Sequence, residues 1–262
     1  MSALMRRDER EGASQQVTAM FEVKSKTHIN RYFADKLHWT DAFRVVQYLS
    51  YRGDSSKIPW YYVVTRASSC YTDLTKSMDE ILASMKSNTR NEIRRAVKEG
   101  CVFSIVEDVD EFIPFYNSFC ESKGLNDFTS RAQIGKYKKV LITKATDAAG
   151  NVLAMHANIL DDASKVALLM FSCSPRLDAN VDKKLIGWGN RFLHFKDLEY
   201  LKDNGFTYYD WSGVCLDPNS PCHSIGQFKL SFGGQIVDSI VLRTPLFFLL
   251  EYVRDALCRF RK

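Results

Sequence analysis

One stretch limits the folds open to this chain more than any other. From Val166 to Cys173 the sequence is an apolar run, VALLMFSC, as in a strand buried on both faces. A polar segment follows, and from Leu185 the apolar residues change period. Leu185, Trp188, Phe192, Phe195 and Leu198 recur at helical spacing, with Asn190, Arg191, His194, Asp197 and Lys202 filling the other side. Asn204-Gly205 is a helix stop. Tyr208 to Gly213, YYDWSG, returns to strand. The order strand, loop, helix, strand predicts that the second strand runs parallel to the first.

The rest of the chain supplies the partners of this unit. Val17 to Val23 and Ile58 to Arg66 read as strands, with the mixed stretch from His28 to Tyr51 assigned to helix. Ser77-Met-Asp-Glu80 and Thr89-Arg-Asn-Glu92 have the capping-box spacing, and the second helix ends at Gly100 with Ile93 and Val97 on its apolar face. Val102 to Val106 is a strand. Phe112 to Cys120 is a helix with Pro114 near its start and Gly124 closing it. Tyr137 to Thr143 and Val152 to Leu160 form an antiparallel pair around a turn at Asp147 to Asn151, so three strands meander before the helix. Ile225 to Phe232 is a short helix or turn, and QIVDSIVL a final strand. Thr244 caps a last amphipathic helix with Pro245 at its first position. Its stripe of Leu246, Leu249, Leu250, Val253 and Leu257 is expected to dock on the chain's own domain, with contact to an anionic membrane the lesser role. The division expected is a disordered tail over 1–16, a smaller N-terminal lobe over 17–100 and the main domain over 101–262.

Charge and composition exclude several classes. Net charge is +5, with both signs interspersed, which is compatible with anionic small molecules and too weak by itself to indicate nucleic acid. Seven scattered cysteines and no leader-like segment point to a reducing, cytoplasmic setting. No stretch is apolar enough to span a bilayer. Neither a P-loop nor a dinucleotide fingerprint occurs, and Cys215, Cys222 and His223 lack zinc-site spacing, so no metal is expected.

Several residues could carry chemistry. Asp178, Asn180 and Asp182 are candidate caps of the Leu185 helix, and Lys183 and Lys184 follow in its first turn. Cations there oppose the helix dipole, so they are either merely solvated or face a bound anion. Arg90, Arg94 and Arg95 could grip phosphate or form an ordinary solvated face. Strand alternation aligns His156 with Asn158, and Tyr208 with Asp210 and Ser212. Polar groups in apolar strands are costly unless satisfied or used. Asp210 is either a proton acceptor or a brace for neighbouring backbone, and His156 is the weaker base.

The order around Val166 to Gly213 resembles the core of the GNAT acyltransferase superfamily. GNRFLHFKDLEYLKDNGFTYYDWSGV, IGQFKLSFGG and the upstream TRNEIRRAVKEG resemble its FemAB-like branch, and chains of this size resemble sugar N-acyltransferases. The resemblance implies an α+β, GNAT-like fold: a central mixed, mostly antiparallel sheet with a splayed parallel strand pair, flanked by helices. It implies acyl-CoA as co-substrate with no permanently bound cofactor. The acceptor would be a dTDP- or UDP-linked amino sugar of surface-polysaccharide (lipopolysaccharide, O-antigen) synthesis. A neutral amine would attack the thioester, with Asp210, or a water held by it, taking the proton and His156 and Asn158 as further catalytic candidates. Backbone at Phe171, Ser172 and Cys173 would polarise the carbonyl. Arg176, Lys183, Lys184 and Asn190 would meet the CoA phosphates. Arg90, Arg94 and Lys229 would hold the sugar's diphosphate, with Tyr208 and Ser212 also on the substrate. The chain departs from the pattern in lacking a Gln/Arg-x-x-Gly-x-Gly/Ala loop, in whose place SPRLDANVDKK stands, and a glutamate on the Val166 strand. The alternatives are an aminoacyl-tRNA-dependent transferase acting on a cell-wall precursor and a non-catalytic binding module. The C-terminal helix leaves room for a homodimer.

Overall fold

The computed structural model describes residues 21–175 and 182–259. The tail at 1–16 and Arg176 therefore lie outside the described residues. In chain order the elements are β1 (Phe21–Lys24), β2 (Ile29–Tyr32), a 3-10 turn (Trp39–Phe43), β3 (Val46–Tyr51), β4 (Val63–Asp73), α1 (Met78–Ser84), α2 (Ser87–Lys98), β5 (Val102–Val106), α3 (Val109–Ser122) and α4 (Arg131–Ile134). They continue as β6 (Val140–Thr146), β7 (Val152–Asp161), β8 (Val166–Cys173), α5 (Lys183–Asp203), β9 (Tyr208–Val214), α6 (His223–Leu230), β10 (Gln235–Arg243) and α7 (Pro245–Arg259).

One mixed sheet holds the strands in the order β1-β2-β3-β10-β4-β9-β8-β7-β6-β5. Its pairings are antiparallel except β2 with β3 and β8 with β9. The meander β6-β7-β8, the crossover through α5 and the parallel return of β9 are as the period changes predicted. The last strand, β10, inserts between β3 and β4, so segments on both sides of residue 100 share one sheet.

The two faces follow from β7, where successive side chains alternate. Met155 and Ala157 pack under α3 with Phe112, Tyr116 and Cys173. Ala154 faces α2 and α5, against Ala96, Phe192 and Leu193. The largest cluster lies on that second side, where Trp211, Tyr209 and Phe232 meet Leu198, Leu201 and Ile93. A β-hairpin, β1–β2, covers the α3 side of β8 through Val23, Tyr32 and Phe33.

Local chemistry explains the element ends. Ser77 and Glu80 form the expected capping box of α1. Thr244 accepts the Phe247 N–H at 3.3 Å and caps α7. Gly124, just past α3, takes φ +64°, which suits glycine.

Five expectations are corrected. His28 to Tyr51 is not a helix but β2, a 3-10 turn and β3; Arg31, Asp41 and Tyr48 bond one another in its interior, a polar core that hides the strand alternation. The Ile58 strand begins at Val63 and runs on to Asp73. The second helix begins at Ser87, so Thr89 is buried inside it and is no cap, and Ala96 lies inward where Val97 was expected. The polar side of α5, read as one half of an amphipathic helix, is partly interior: His194 and Asp197 are buried against β6 and β7. The apolar stripe of α7 does not dock on its own domain; Leu246, Leu249, Val253 and Leu257 are exposed, and Phe247 is the residue that packs inward.

Candidate active site at the fork between two parallel strands

Strands β8 and β9 begin as neighbours and then part. Their parallel register runs through Val166–Tyr208, Ala167–Tyr209 and Leu168–Asp210 and stops there, although β8 continues to Cys173 and β9 to Val214. Each strand is bulged at the point of parting. The β7–β8 register shifts between Ala157 and Asn158, so Met170 is the extra residue of β8. The β4–β9 register shifts between Ser69 and Tyr71, opposite Trp211 and Ser212. A bulge bends its strand and ends pairing. Ser212 takes the uncommon φ of +64°, and its Oγ donates to the Leu169 carbonyl at 2.6 Å across the gap. Beyond that bridge, half of the peptide N–H groups of β8 point to β7 and the other half to the open side. Phe171, Ser172 and Cys173 lie on this stretch. Cys173 itself is buried and donates to the Met155 carbonyl at 3.4 Å, with burial pushing its thiol pKa up.

Asp210 sits at the crotch of the fork and is 1% exposed. One carboxylate oxygen accepts the Ser69 hydroxyl at 2.8 Å and the Ser212 N–H at 2.7 Å. Burial raises its pKa above the usual carboxylate range; hydrogen bonds from Ser69, Ser212 and Tyr71 and the charge of Arg52 oppose the rise. The Arg52 guanidinium lies over the rings of Phe33, 4.6 Å from the centroid, and Tyr71, at 5.7 Å. Lys229, on α6, donates to the Gly213 carbonyl at 2.9 Å. Burial lowers its ammonium pKa, against the pull of Asp210 and then Cys70. Burial pushes the Cys70 thiol up to about 12, with Asp210 adding to it. Tyr208 shares the Asp210 side of β9 by alternation, whereas the bulge and the φ of Ser212 turn its hydroxyl across the gap to β8.

His156 and Asn158 occupy a different place, fully buried beneath α5. His156 bonds Asp197 through Nδ1 at 2.7 Å and Asn190 through Nε2 at 3.0 Å. Thr143 donates to the other Asp197 oxygen at 2.7 Å. Asn158 accepts the Tyr209 hydroxyl at 3.0 Å. The His194 ring lies against His156 with centroids 3.9 Å apart and planes tilted by 31°, and burial first, then the nearby His156, holds His194 well below the ordinary histidine pKa. His156, His194 and Asp197 bring potential metal-ligand atoms within 4.8 Å of one another. Both nitrogens of His156 and both oxygens of Asp197 are engaged, so this is a hydrogen-bond network that locks α5 to the sheet.

Lys183 and Lys184 are exposed in the first turn of α5, where Asp182 accepts the Lys184 N–H at 2.8 Å. Arg90 bonds the carbonyls of Ala83 and Met85 at the end of α1. Arg94 reaches Asn91 at 3.3 Å on the exposed side of α2. Both arginines therefore lie on the α5 side of the sheet.

The opposite side holds a cavity of about 180 Å³ between the β1–β2 hairpin and the segment from Asp127 to Tyr137. Met170 and Phe171 of β8 form its wall nearest the fork; Asn30, Thr129, Asp127 and Lys136 supply polar groups. Asn30 Oδ1 and Thr129 Oγ1 are buried there with no hydrogen-bond partner among the described residues. Nothing local in the sequence marked these residues, nor Ser69, Tyr71 and Arg52 around Asp210. They come from separate segments that only the folded sheet brings together.

Comparison with solved structures adds the fold's kinship. FemX superposes over 92% of this chain and 88% of its own, with a TM-score of 0.60 and 12% identity. The fold is that of FemX. The C-terminal domain of a protein described as a lysylphosphatidylglycerol synthetase from Agrobacterium fabrum matches over 89% of this chain and 84% of its own (TM-score 0.60, 11% identity). L-PGS from Bacillus licheniformis matches over 92% and 86% (TM-score 0.56, 12% identity). No protein-family model and no curated protein matches the chain by sequence. The GNAT-like arrangement implied by the sequence resemblance, a mixed sheet with one splayed parallel pair flanked by helices, is the one this chain adopts.

Proposed function

We propose that this chain is an acyltransferase that moves an acyl group from a thioester to an amine at the β8–β9 fork. One observation carries this: the parallel ladder ends at Leu168–Asp210, leaving peptide groups of β8 open beside a buried, hydrogen-bonded carboxylate. The donor carbonyl would lie along Phe171 to Cys173, where fixed N–H dipoles stabilise the oxyanion of a tetrahedral intermediate. The amine nitrogen attacks the carbonyl carbon, the C–S bond breaks, and the amine's proton passes to Asp210 directly or through a water it holds. A neutral amine is the nucleophile, so no covalent enzyme intermediate is needed. The donor's charged head would rest on Lys183 and Lys184 at the start of α5, with Arg176 and Asn190 nearby in sequence; an anion there reverses the unfavourable cation–dipole sign.

For the donor, acyl-CoA fits the exposed lysines. For the acceptor, the cavity beside Met170 and Phe171 favours a ring-sized polar group. It is smaller than the roughly 300–1,000 Å³ that enclose a whole drug-sized ligand. It also offers unsatisfied amide and hydroxyl oxygens beside the exposed ring of Phe128, a combination suited to an amino sugar. A nucleotide diphosphate on that sugar would meet Lys229, which interacts with the charge of Asp210, in preference to Arg90 and Arg94, which lie on α2 on the α5 side of the sheet. His156 and Asn158 act as positioning residues: they fix α5 and β9 relative to β7, the neighbour of β8.

The second reading, aminoacyl transfer from a charged tRNA, is favoured by the likeness to FemX and to the lysylphosphatidylglycerol synthetases. Thiol release from acyl-CoA, measured with and without dTDP- or UDP-amino sugars, separates the readings. Sugar-dependent release supports the first. Transfer from aminoacyl-tRNA alone supports the second, and neither activity rejects both.

A further inference from the structure

Helix α7 is placed with its apolar side outward. Phe247 turns in against His28, with ring centroids 5.3 Å apart, and Glu251 pairs with Arg243 at 3.1 Å. The other side presents Leu246, Phe248, Leu249, Tyr252, Val253 and Leu257, each between 41% and 67% exposed. The 3-10 turn beside this helix is fastened to its start, because Thr244 Oγ donates to the Arg44 carbonyl at 2.7 Å. That turn exposes two more rings, Trp39 at 79% and Phe43 at 75%. Monomeric proteins seldom expose so continuous an apolar surface without a partner for it.

We propose that α7 and the Trp39–Phe43 turn form a docking face for an anionic lipid bilayer. The face has the makeup of an interfacial helix: an aliphatic stripe to sit at the acyl boundary, with Trp, Phe and Tyr around it at headgroup level. Its charge supplies the choice of lipid. Arg254 on α7 and Arg44 beside Phe43 stand exposed at this face, and Arg243 is offset by Glu251; in sequence, the stretch from Arg243 to Lys262 carries five basic residues against two acidic ones. Those cations are attracted to headgroup phosphates whichever way the helix lies, whereas the same face on a second copy repeats the same charge. A bilayer also accepts bulky rings set at different angles, which a rigid partner must match one by one. No described helix is long and apolar enough to cross the membrane, so the chain would lie on the surface.

Co-sedimentation of the full chain with phosphatidylcholine vesicles, with and without phosphatidylglycerol, tests this. The chain should pellet with the anionic vesicles and far less with the neutral ones. Leu249→Glu with Val253→Glu should lower the partition coefficient at least tenfold while leaving the circular dichroism spectrum intact, since both side chains are exposed. Trp39→Ala with Phe43→Ala, on a different element, should weaken binding several-fold. A chain that stays in the supernatant with anionic vesicles overturns the proposal. So does a Leu249→Glu, Val253→Glu variant that still pellets. A dimer in sedimentation velocity that this double substitution dissolves, without vesicle binding, assigns the face to a second copy instead.

Discussion

Ser212 bridges the gap between β8 and β9 by donating its hydroxyl to the Leu169 carbonyl at 2.6 Å. The bond stands one residue past the last parallel pair, Leu168–Asp210, so it fixes where the strands part. The same residue gives its N–H to Asp210. Ser212 thus ties the opening of the fork to the carboxylate inside it. Its φ of +64° is the conformation that lets one residue do both.

Ser212→Ala removes the bridge and keeps the left-handed backbone. It should cost about 1 kcal/mol of stability, the net value of one hydrogen bond. Ser212→Gly removes the bridge but relaxes the backbone, so it should cost less. Urea denaturation of the two variants checks the order; equal losses would show that the backbone conformation carries no cost.

Asp210→Asn should fold and lose about 10²- to 10⁴-fold in kcat, as expected for a lost proton acceptor, with little change in KM for the donor. Burial raises the Asp210 pKa, so the acidic limb of the wild-type rate profile should lie above the ordinary carboxylate range, with activity rising as pH rises through it. That limb should vanish in the variant. Stability moves the other way. A carboxyl whose folded pKa is raised favours the folded state while protonated, and this contribution is lost as pH rises through the folded value. The melting temperature of Asp210→Asn should therefore gain on that of wild type between acid and neutral pH.

His156→Leu leaves Asp197 buried without its imidazole partner and should cost about 3–5 kcal/mol. His156→Leu with Asp197→Leu removes both polar groups and should cost less than the two single changes added together. Chemical denaturation of the three variants checks this. A role for His156 in direct contact with substrate would instead lower kcat in variants that keep wild-type stability.

Lys183→Ala and Lys184→Ala should each raise KM for acyl-CoA roughly two- to fivefold, the range expected of one charge near a helix terminus. Both should leave KM for an acyl-pantetheine without phosphates unchanged. Steady-state kinetics with the two donors make the comparison. An equal rise for both would place the lysines elsewhere than at the donor's charged head.

The unit from Val166 to Gly213 was legible because its signals are local: an apolar run, a change of period, a stop at Asn204-Gly205. The caps at Ser77 and Thr244 were legible for the same reason. The N-terminal strands were not, because β3 gains its place by pairing with β10 nearly two hundred residues later and its core includes the charged pair Arg31–Asp41. Likewise α5 looked amphipathic, yet His194 and Asp197 are interior because His156 and Thr143 wait across the gap to meet them. Asp210 stood out as a charge in an apolar strand. Its neighbours Ser69, Tyr71 and Arg52, and the cavity residues Asn30 and Thr129, carry no such mark; distant strands assemble them.

A crystal soaked with a non-hydrolysable ketone analogue of acyl-CoA tests the centre of this account. Its carbonyl should lie between Phe171–Cys173 and Ser212, with its phosphates on the first turn of α5. Density for the analogue anywhere else on the chain, with the β8–β9 fork left unchanged, would contradict it.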